Sequence, residues 1–510
     1  MTEQRQRSRQ AGDAESAQAD KSRWLALYVL CGGMLMIVLD ATIVNVALTD
    51  IQQDLGFTPA GLAWVVNAYL ISFGGLLMLV GRFGDLIGRR TMFLAGLVVF
   101  TVASVLCGVA INEVTLIAAR FVQGIGGAMT SAVILGMIFA MFPDPRDQAK
   151  AIGRYAFVAS AGGAIGLLLG GFLTALDWRL IFLVNLPIGI AVGIGALKIL
   201  DKDQGAGLKN GADIPGAVLI TSALMLGVYT IVKPAAEYGW TDTVTLGLGA
   251  AALVLLAGFV LREGTAANPL MPLKIFRSRN LSGANVIQVL TVAGMFGMFF
   301  MGSLYLKQVL GYEPIQLGLA FFPVAAIMGL LSVRYSEHFV MRFGARKVLI
   351  PGLSLILVAL LWLTQAPVDG NYWLYIFGPM VLFGTGAGLA FPALMNLAMS
   401  GVEPEEAGLA SGLANTTMQV GGALGLAVLA TLSASKTEHL LKDGTAVNEA
   451  LTSGFHLAFW VGAALVVVAL AAAVVVLKSV PSSPHGTDDA ADVDAELLLD
   501  AEVASERTVI

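Results

Sequence analysis

Charge is scarce in this chain. Only 13% of its 510 residues are Asp, Glu, Lys or Arg, about half the share of an ordinary soluble domain, which excludes a water-soluble globular protein. Cysteine is nearly absent. Cys31 and Cys107 are the only two, both inside apolar stretches, and they read as small packing residues, not as a disulfide or a metal pair. The four histidines, His338, His439, His456 and His485, are scattered without ligand spacing, so no metal site is expected. No Gly-x-x-x-x-Gly-Lys-Ser/Thr phosphate loop occurs, so no bound nucleotide is expected. Nor is a cofactor, a nucleic-acid partner or an enzymatic activity. Residues 1–23 lack the apolar core and small-residue cleavage site of a signal peptide.

Apolar residues fill the space that charge leaves: they make up 57% of the chain. They fall in runs long enough to cross a hydrocarbon core of about 30 Å. The runs predict helices at 24–48, 60–80, 91–111, 113–141, 152–175, 179–200, 213–233, 242–261, 284–307, 317–334, 346–365, 372–399, 408–432 and 456–478. The fold class is therefore an all-α polytopic membrane protein, here with fourteen spans. An even number puts both termini on one face. With the N-terminus inside, roughly 23 basic residues lie inside and about five (Arg179, Lys233, Lys307, Lys436 and Lys442) outside. That asymmetry places both termini in the cytoplasm. Residues 1–23 and the acidic 479–510 are expected to be disordered cytoplasmic tails.

The chain also repeats itself. Gly88-Arg89-Arg90 follows the start of the first helix at nearly the same offset as Gly344-Ala345-Arg346 follows the start of the ninth. Gly124-Ile125-Gly126 and Gly384-Thr385-Gly386 recur in the same way. Two six-helix halves, 24–200 and 284–478, follow, with two extra helices in the linking stretch 201–283. Halves related in this way hold a substrate cavity between them near the midplane.

One carboxylate stands out in this setting. Asp40 is the only charge in the run 24–48, where insertion alone costs about 2.5–3.5 kcal/mol. It needs a partner, a water-filled cavity or a proton. Arg120 is the matching cation within the fourth predicted helix. At 1.5 Å per residue, Arg120 lies about 10 Å and Asp40 about 13 Å below the same membrane face, so the two can meet. A neighbouring guanidinium favours the carboxylate and a dry apolar setting favours the protonated acid. Movement between those settings is a proton switch; the alternative is a permanent structural pair.

Gly81-Arg82-Phe83-Gly84-Asp85-Leu86-Ile87-Gly88-Arg89-Arg90, in which glycines allow a tight turn and Asp85 can pair with arginine, resembles the loop signature of the major facilitator superfamily. Its second-half copy, Arg342-Phe343-Gly344-Ala345-Arg346-Lys347, is degenerate. The segment from Leu116 through Arg120 and Gln123 to Gly127 is similar to the superfamily's fourth-helix motif, whose arginine is linked to proton transfer. Gly162, Gly163, Gly166, Gly170 and Gly171 give the fifth helix a small-residue face for close packing. They also resemble the exporter motif, with Leu167 where the family has proline. The stretch Asp177-Trp178-Arg179 through Asn185-Leu186-Pro187 resembles the fifth-to-sixth turn of fourteen-helix drug:proton antiporters. So do Leu39 to Leu48, Trp64 with Tyr69, Asp213 with Gly216, and Ala410 to Asn415. The resemblance covers 24–478. It implies proton-coupled export of amphipathic small molecules such as drugs or antibiotics, with Asp40 and Arg120 coupling the proton. Gly81, Asp85, Gly88, Arg89 and Arg90 would form a conformational latch.

Candidates for the substrate cavity are Asn45, Trp64, Met295, Met298, Phe299, Asn415 and Gln419. The Met and Phe residues offer a soft surface to apolar ligands, or pack against neighbouring helices. Asn415 and Gln419 share a helix face. Partners are then an amphipathic substrate, protons and membrane lipid, and the protein is expected to work as a monomer. A dedicated lipid or metabolite exporter, and a non-transporting receptor or scaffold on the same fold, remain alternatives.

Overall fold

The computed structural model describes residues 2–478 except 59–60, 143, 204, 206, 208–212, 267–268, 272 and 401–406. Among the described residues there is no β-strand. The long helices are α1 (Thr2–Leu55), α2 (Ala63–Ile87), α3 (Arg89–Gly108), α4 (Glu113–Met141), α5 (Pro145–Leu176), α6 (Leu180–Ile199), α7 (Ile214–Val232) and α8 (Thr243–Thr265). They continue with α9 (Arg279–Val309), α10 (Pro314–Leu330), α11 (Ala345–Leu363), α12 (Trp373–Met399), α13 (Ala407–Lys442) and α14 (Val447–Val475). Eleven of these are long and apolar enough to cross a membrane. The other three, α2, α5 and α10, carry the shorter apolar stretches Ala63–Leu77, Ile165–Leu176 and Pro314–Leu330.

Several boundaries differ from those expected. Residues 2–23 continue α1 instead of forming a disordered tail. That stretch is rich in Gln, Arg and Ala and has no proline, and each residue added to an existing helix gains one hydrogen bond without a new nucleus. Helix α13 runs to Lys442, and α14 begins at Val447. The polar segment between the expected spans is thus helical on both sides of a turn at Gly444, whose φ is +83°. The acidic stretch 479–510 lies outside the described residues.

The repeat has a physical basis in backbone contact. A Cβ at Gly126 would lie 2.4 Å from the backbone N of Phe100 on α3, and one at Gly386 would lie 2.5 Å from the carbonyl O of Gly352 on α11. Gly124 abuts the Tyr69 carbonyl on α2, as Gly384 abuts the Val324 carbonyl on α10. These glycines let α4 and α12 each lie in contact with two neighbours at backbone distance. The loops before α3 and α11 match as well: Gly88 has φ +101° and Gly344 has φ +86°, a region open to glycine and costly for other residues.

Helices α1–α6 pack on one another, as do α9–α14. The two sets meet along two seams, α5 against α10 and α2 against α13. The pair α7–α8 lies beside the second seam, with α7 touching both α2 and α13. At the end of the bundle that holds the α1–α2 loop, the halves are also joined by polar contacts. Gln308 Nε2 donates to Gln52 Oε1 at 3.0 Å, and Lys307 Nζ lies 3.6 Å from Asp50 Oδ1. This end is shut.

That closure is testable. The two native cysteines are buried, so a pair introduced as Asp50→Cys and Lys307→Cys can be bridged with a short, reducible bis-thiosulfonate linker. If the chain transports, as the resemblance implies, transport falls to background on bridging and returns on reduction. Undiminished transport by the bridged protein would mean that this end does not need to open.

Candidate functional site

Asp40 and Arg120 meet. Arg120 Nη1 donates to Asp40 Oδ2 at 2.6 Å, and the two side chains are 0% and 1% exposed. The depth match read from helix rise therefore holds in three dimensions. Of a partner, a cavity or a proton, the structure supplies the partner: Asp40 faces protein on all sides, inside the packing of α1, α3, α4 and α6.

A buried ion pair repays its desolvation only when its remaining lone pairs and protons are satisfied. Here they largely are. Asp40 Oδ1 accepts from Gln123 Nε2 at 2.7 Å and from Asn185 Nδ2 at 3.0 Å. Arg120 Nη1 also donates to Gln123 Oε1 at 2.6 Å, and its Nε donates to the Val65 carbonyl at 2.9 Å. Gln123 Nε2 reaches a further acceptor, Ser104 Oγ, at 2.8 Å. The guanidinium lies over the Tyr69 ring at 4.5 Å and near the Phe182 ring at 5.6 Å, which adds cation–π attraction in a dry site. Two polar atoms beside the cluster, Tyr69 Oη and Asn185 Oδ1, are buried without a partner.

Local sequence sets this geometry. Arg120 and Gln123 are three residues apart on α4 and so share a face. Pro187 lacks an N–H and its ring crowds the carbonyl four residues back. The helix accordingly breaks at Val184 between Leu180–Leu183 and Asn185–Ile199, and Asn185 sits at the break. The cluster has a chemical consequence. Asp40 Oδ1 accepts from two N–H groups and Oδ2 from one, so a proton at Oδ1 would displace Gln123 or Asn185, and one at Oδ2 would weaken the charge-assisted bond from Arg120.

Gln123, Ser104 and Asn185 were not among the residues expected to build the site. Gln123 carried a usable signal, its spacing from Arg120. Asn185 carried one in its neighbour Pro187. Ser104 carried none, since only packing of α3 on α4 brings it near.

The latch residues are described in part. Asp85's side chain lies outside the described residues. Gly81 is half-buried, and Gly88 provides the turn. Arg89 Nη1 donates to the Gly136 carbonyl at 2.9 Å, and Arg90 Nη2 donates to the Leu197 carbonyl at 2.8 Å. The acid that meets this loop from outside the motif is Asp203, which accepts from the backbone N–H groups of both Arg89 and Arg90. It caps the N-terminus of α3, where negative charge is favoured.

The glycines of α5 divide their work. A Cβ at Gly162 would meet Leu35 and Val38, one at Gly166 would meet Thr42, and one at Gly170 would lie 3.0 Å from the Ile43 carbonyl, all on α1. Gly171 turns instead to the other half, where its Cβ would lie 2.6 Å from the Pro314 carbonyl.

The cavity candidates scatter. Met295 and Met298 are buried among helices, and Met298 lines a small closed void with Tyr305, Leu363, Met380 and Phe459 inside the second half. Phe299 stacks on Phe321 and meets Phe383 edge-on, each at 5.9 Å. Met298 and Phe299 thus pack against α10, α11, α12 and α14. Trp64 is buried at the start of α2. Asn45 is half-buried, with Nδ2 on the Ala41 and Thr42 carbonyls and Oδ1 unpartnered. Asn415 and Gln419 are half-buried on α13, and Gln419 Cβ faces Gly74 on α2 at the seam.

Known proteins similar to this chain show its family. The chain is 34% identical over 461 residues to the puromycin resistance protein of Streptomyces alboniger, covering 89% of this chain and 91% of that protein. It is 37% identical over 466 residues to the cephamycin export protein of Amycolatopsis lactamdurans, covering 90% and 94%. In fold it resembles a bacterial homologue of the human lysosomal transporter Spinster, with a TM-score of 0.65 at 16% identity over 89% of this chain and 96% of that one. Residues 30–426 match the family model of the Major Facilitator Superfamily. With this match over most of the chain and relatives of this length and identity, the chain belongs to the Major Facilitator Superfamily.

Proposed function

We propose that this protein is a proton-driven exporter of amphipathic small molecules of the antibiotic and drug class. The observation that carries the coupling is the buried cluster of Asp40, Arg120, Gln123 and Asn185, whose charge-assisted bonds a proton on Asp40 would weaken or displace. The names of two relatives, one a puromycin resistance protein and one a cephamycin exporter, support the cargo class. In this reading the chain crosses a plasma membrane fourteen times with both termini in the cytoplasm. The α1–α2 end then faces outward.

Export proceeds by rocking of the two halves. When the outer end opens, water reaches the cluster and Asp40 takes a proton, which frees Arg120 to shift onto Gln123, the Val65 carbonyl and the two rings. When the inner end opens, the proton leaves toward the cytoplasm and the ion pair re-forms. Cargo occupies the space between the halves, with Asn45, Asn415 and Gln419 as polar contacts. Support for Asn45 comes from its free Oδ1 and from the exposure of Ala41 one turn away on α1. Gly88, Arg89, Arg90 and Asp203 hold the inner loop in one of the two states, and the protein works as a monomer.

The test is substrate-driven proton movement. Purified protein in liposomes carrying a preset pH gradient would be given puromycin, a cephem and a set of lipophilic cations. Dissipation of the gradient on adding several compounds is the expected result. A response to one compound alone would replace broad export with a dedicated exporter, and transport without proton movement would remove the coupling.

A further inference from the structure

Asn67 lies on α2 and takes no part in the cluster, although it sits at the same depth. Val65, two residues earlier, accepts from Arg120 through its carbonyl. Asn67 is 0% exposed, and neither its Nδ2 nor its Oδ1 has a hydrogen-bond partner. Among the described residues no other side chain has two such atoms. A buried carboxamide left unpaired at both ends works against folding, and nothing in the packing of the first half uses it.

Its position suggests what does. Tyr69 turns to Arg120 on one side of α2, while Gly74 faces α13 on another, with its Cβ position 2.7 Å from Gln419 Cβ. Asn67 is seven residues before Gly74 and therefore on the same face, the face that meets the second half. Seven residues farther along the antiparallel α13 from Gln419 are Leu426 and its neighbours Ala423 and Ala427, all buried and apolar. The carboxamide thus stands at the seam between the halves, opposite residues that offer it nothing.

Gly74 against Gln419 is a close-packed point about which the seam can pivot. Asn67 lies about 10 Å from it toward the α1–α2 end. A tilt of about 15°, the size of a rigid-body subunit rotation, over that length parts the helices by about 3 Å at Asn67. That is room for one hydroxyl or amide.

We propose that Asn67 is a substrate-contact residue. When the α1–α2 end opens, its carboxamide meets a neutral group on an otherwise apolar cargo that both donates and accepts, such as a hydroxyl or an amide. This rests on the export reading above and adds to it the polar group that the cargo must carry.

The test uses the full-length protein in lipid nanodiscs and two probes: puromycin, which carries a hydroxyl and an amide, and tetraphenylphosphonium, which carries no hydrogen-bonding group. Asn67→Leu keeps the side-chain size and removes both polar atoms. Puromycin affinity is expected to fall about five- to tenfold, while tetraphenylphosphonium affinity changes by less than about twofold. The thermal midpoint is expected to hold or rise, because an unpaired buried amide is replaced by an apolar group. Equal changes for both probes, or no change for puromycin, would overturn the assignment while leaving export intact. A lowered midpoint would overturn it by giving Asn67 a structural partner. If the wild type binds neither probe, the export reading fails and this assignment fails with it.

Discussion

Asp40→Asn is expected to reduce substrate-driven proton movement to the protein-free background while leaving the chain folded. The reason for the second half of that statement is local. The new amide can keep its oxygen toward Arg120 and present its NH2 toward Gln123 and Asn185. Asn185 has a buried, unpartnered Oδ1, so a flip of its carboxamide supplies the acceptor that the new NH2 needs. Gln123 Nε2 loses its acceptor at residue 40 but keeps Ser104 Oγ, so most of the hydrogen bonding survives, while the charge of Arg120 does not remain compensated. Breaking a buried pair in this way costs about 3–5 kcal/mol. Removing both charges restores most of that loss, since a neutral replacement of a buried pair is often tolerated. The double variant Asp40→Asn with Arg120→Gln should therefore recover expression and thermal stability relative to the single variant, yet still show no proton movement. Stability and coupling are thereby read separately. Were the double variant to move protons with substrate, Asp40 would be a packing residue and the proton site would lie elsewhere.

The pairing of Asp40 with Arg120 could be read from the chain because a membrane helix has a fixed rise and few charges, so two depths can be compared with little error. The spacing of Gln123 from Arg120 was legible for the same reason, although its role was not assigned. Ser104 and Tyr69 join the cluster only through the way α2, α3 and α4 pack, and no linear spacing encodes that. The seam glycines could be seen as small residues, but not which partner each one meets: Gly170 faces α1 and Gly171, its neighbour, faces α10. The Met and Phe residues of α9 illustrate the hardest case. A helix that is apolar nearly all round gives no face to its core, so Met298 and Phe299 could be named as soft surface without any sign that they point into the second half. Asp203 was hidden for a different reason. It comes from the connection after α6, more than a hundred residues beyond the loop it caps.

The same seam geometry makes Gly171→Val the variant expected to act most strongly on the resting conformation. The Cβ of residue 171 would lie 2.6 Å from the Pro314 carbonyl and 3.1 Å from the Ile315 Cα, and at Gly318 the Cβ would lie 2.5 Å from the Leu167 carbonyl. These are backbone atoms, which cannot turn aside as a side chain can. Relief must come from moving α10 away from α5, and that movement opens the α1–α2 end where Gln52 and Gln308 now touch. Overpacking of this kind costs about 1–3 kcal/mol. Charged against the shut state alone, about 1.4 kcal/mol changes the ratio of shut to open tenfold. In a Gln308→Cys background, Gly171→Val and Gly318→Val should each raise the rate of labelling by a membrane-impermeant maleimide by about tenfold or more. Gly163→Val is the control on the same helix, because its Cβ would meet only the Thr42 Cγ2, at an ordinary 3.9 Å; its labelling should match the parent. Equal labelling in all three would mean that α5 and α10 separate elsewhere, or not at all, and would detach the exporter-like glycines of α5 from the movement of the halves.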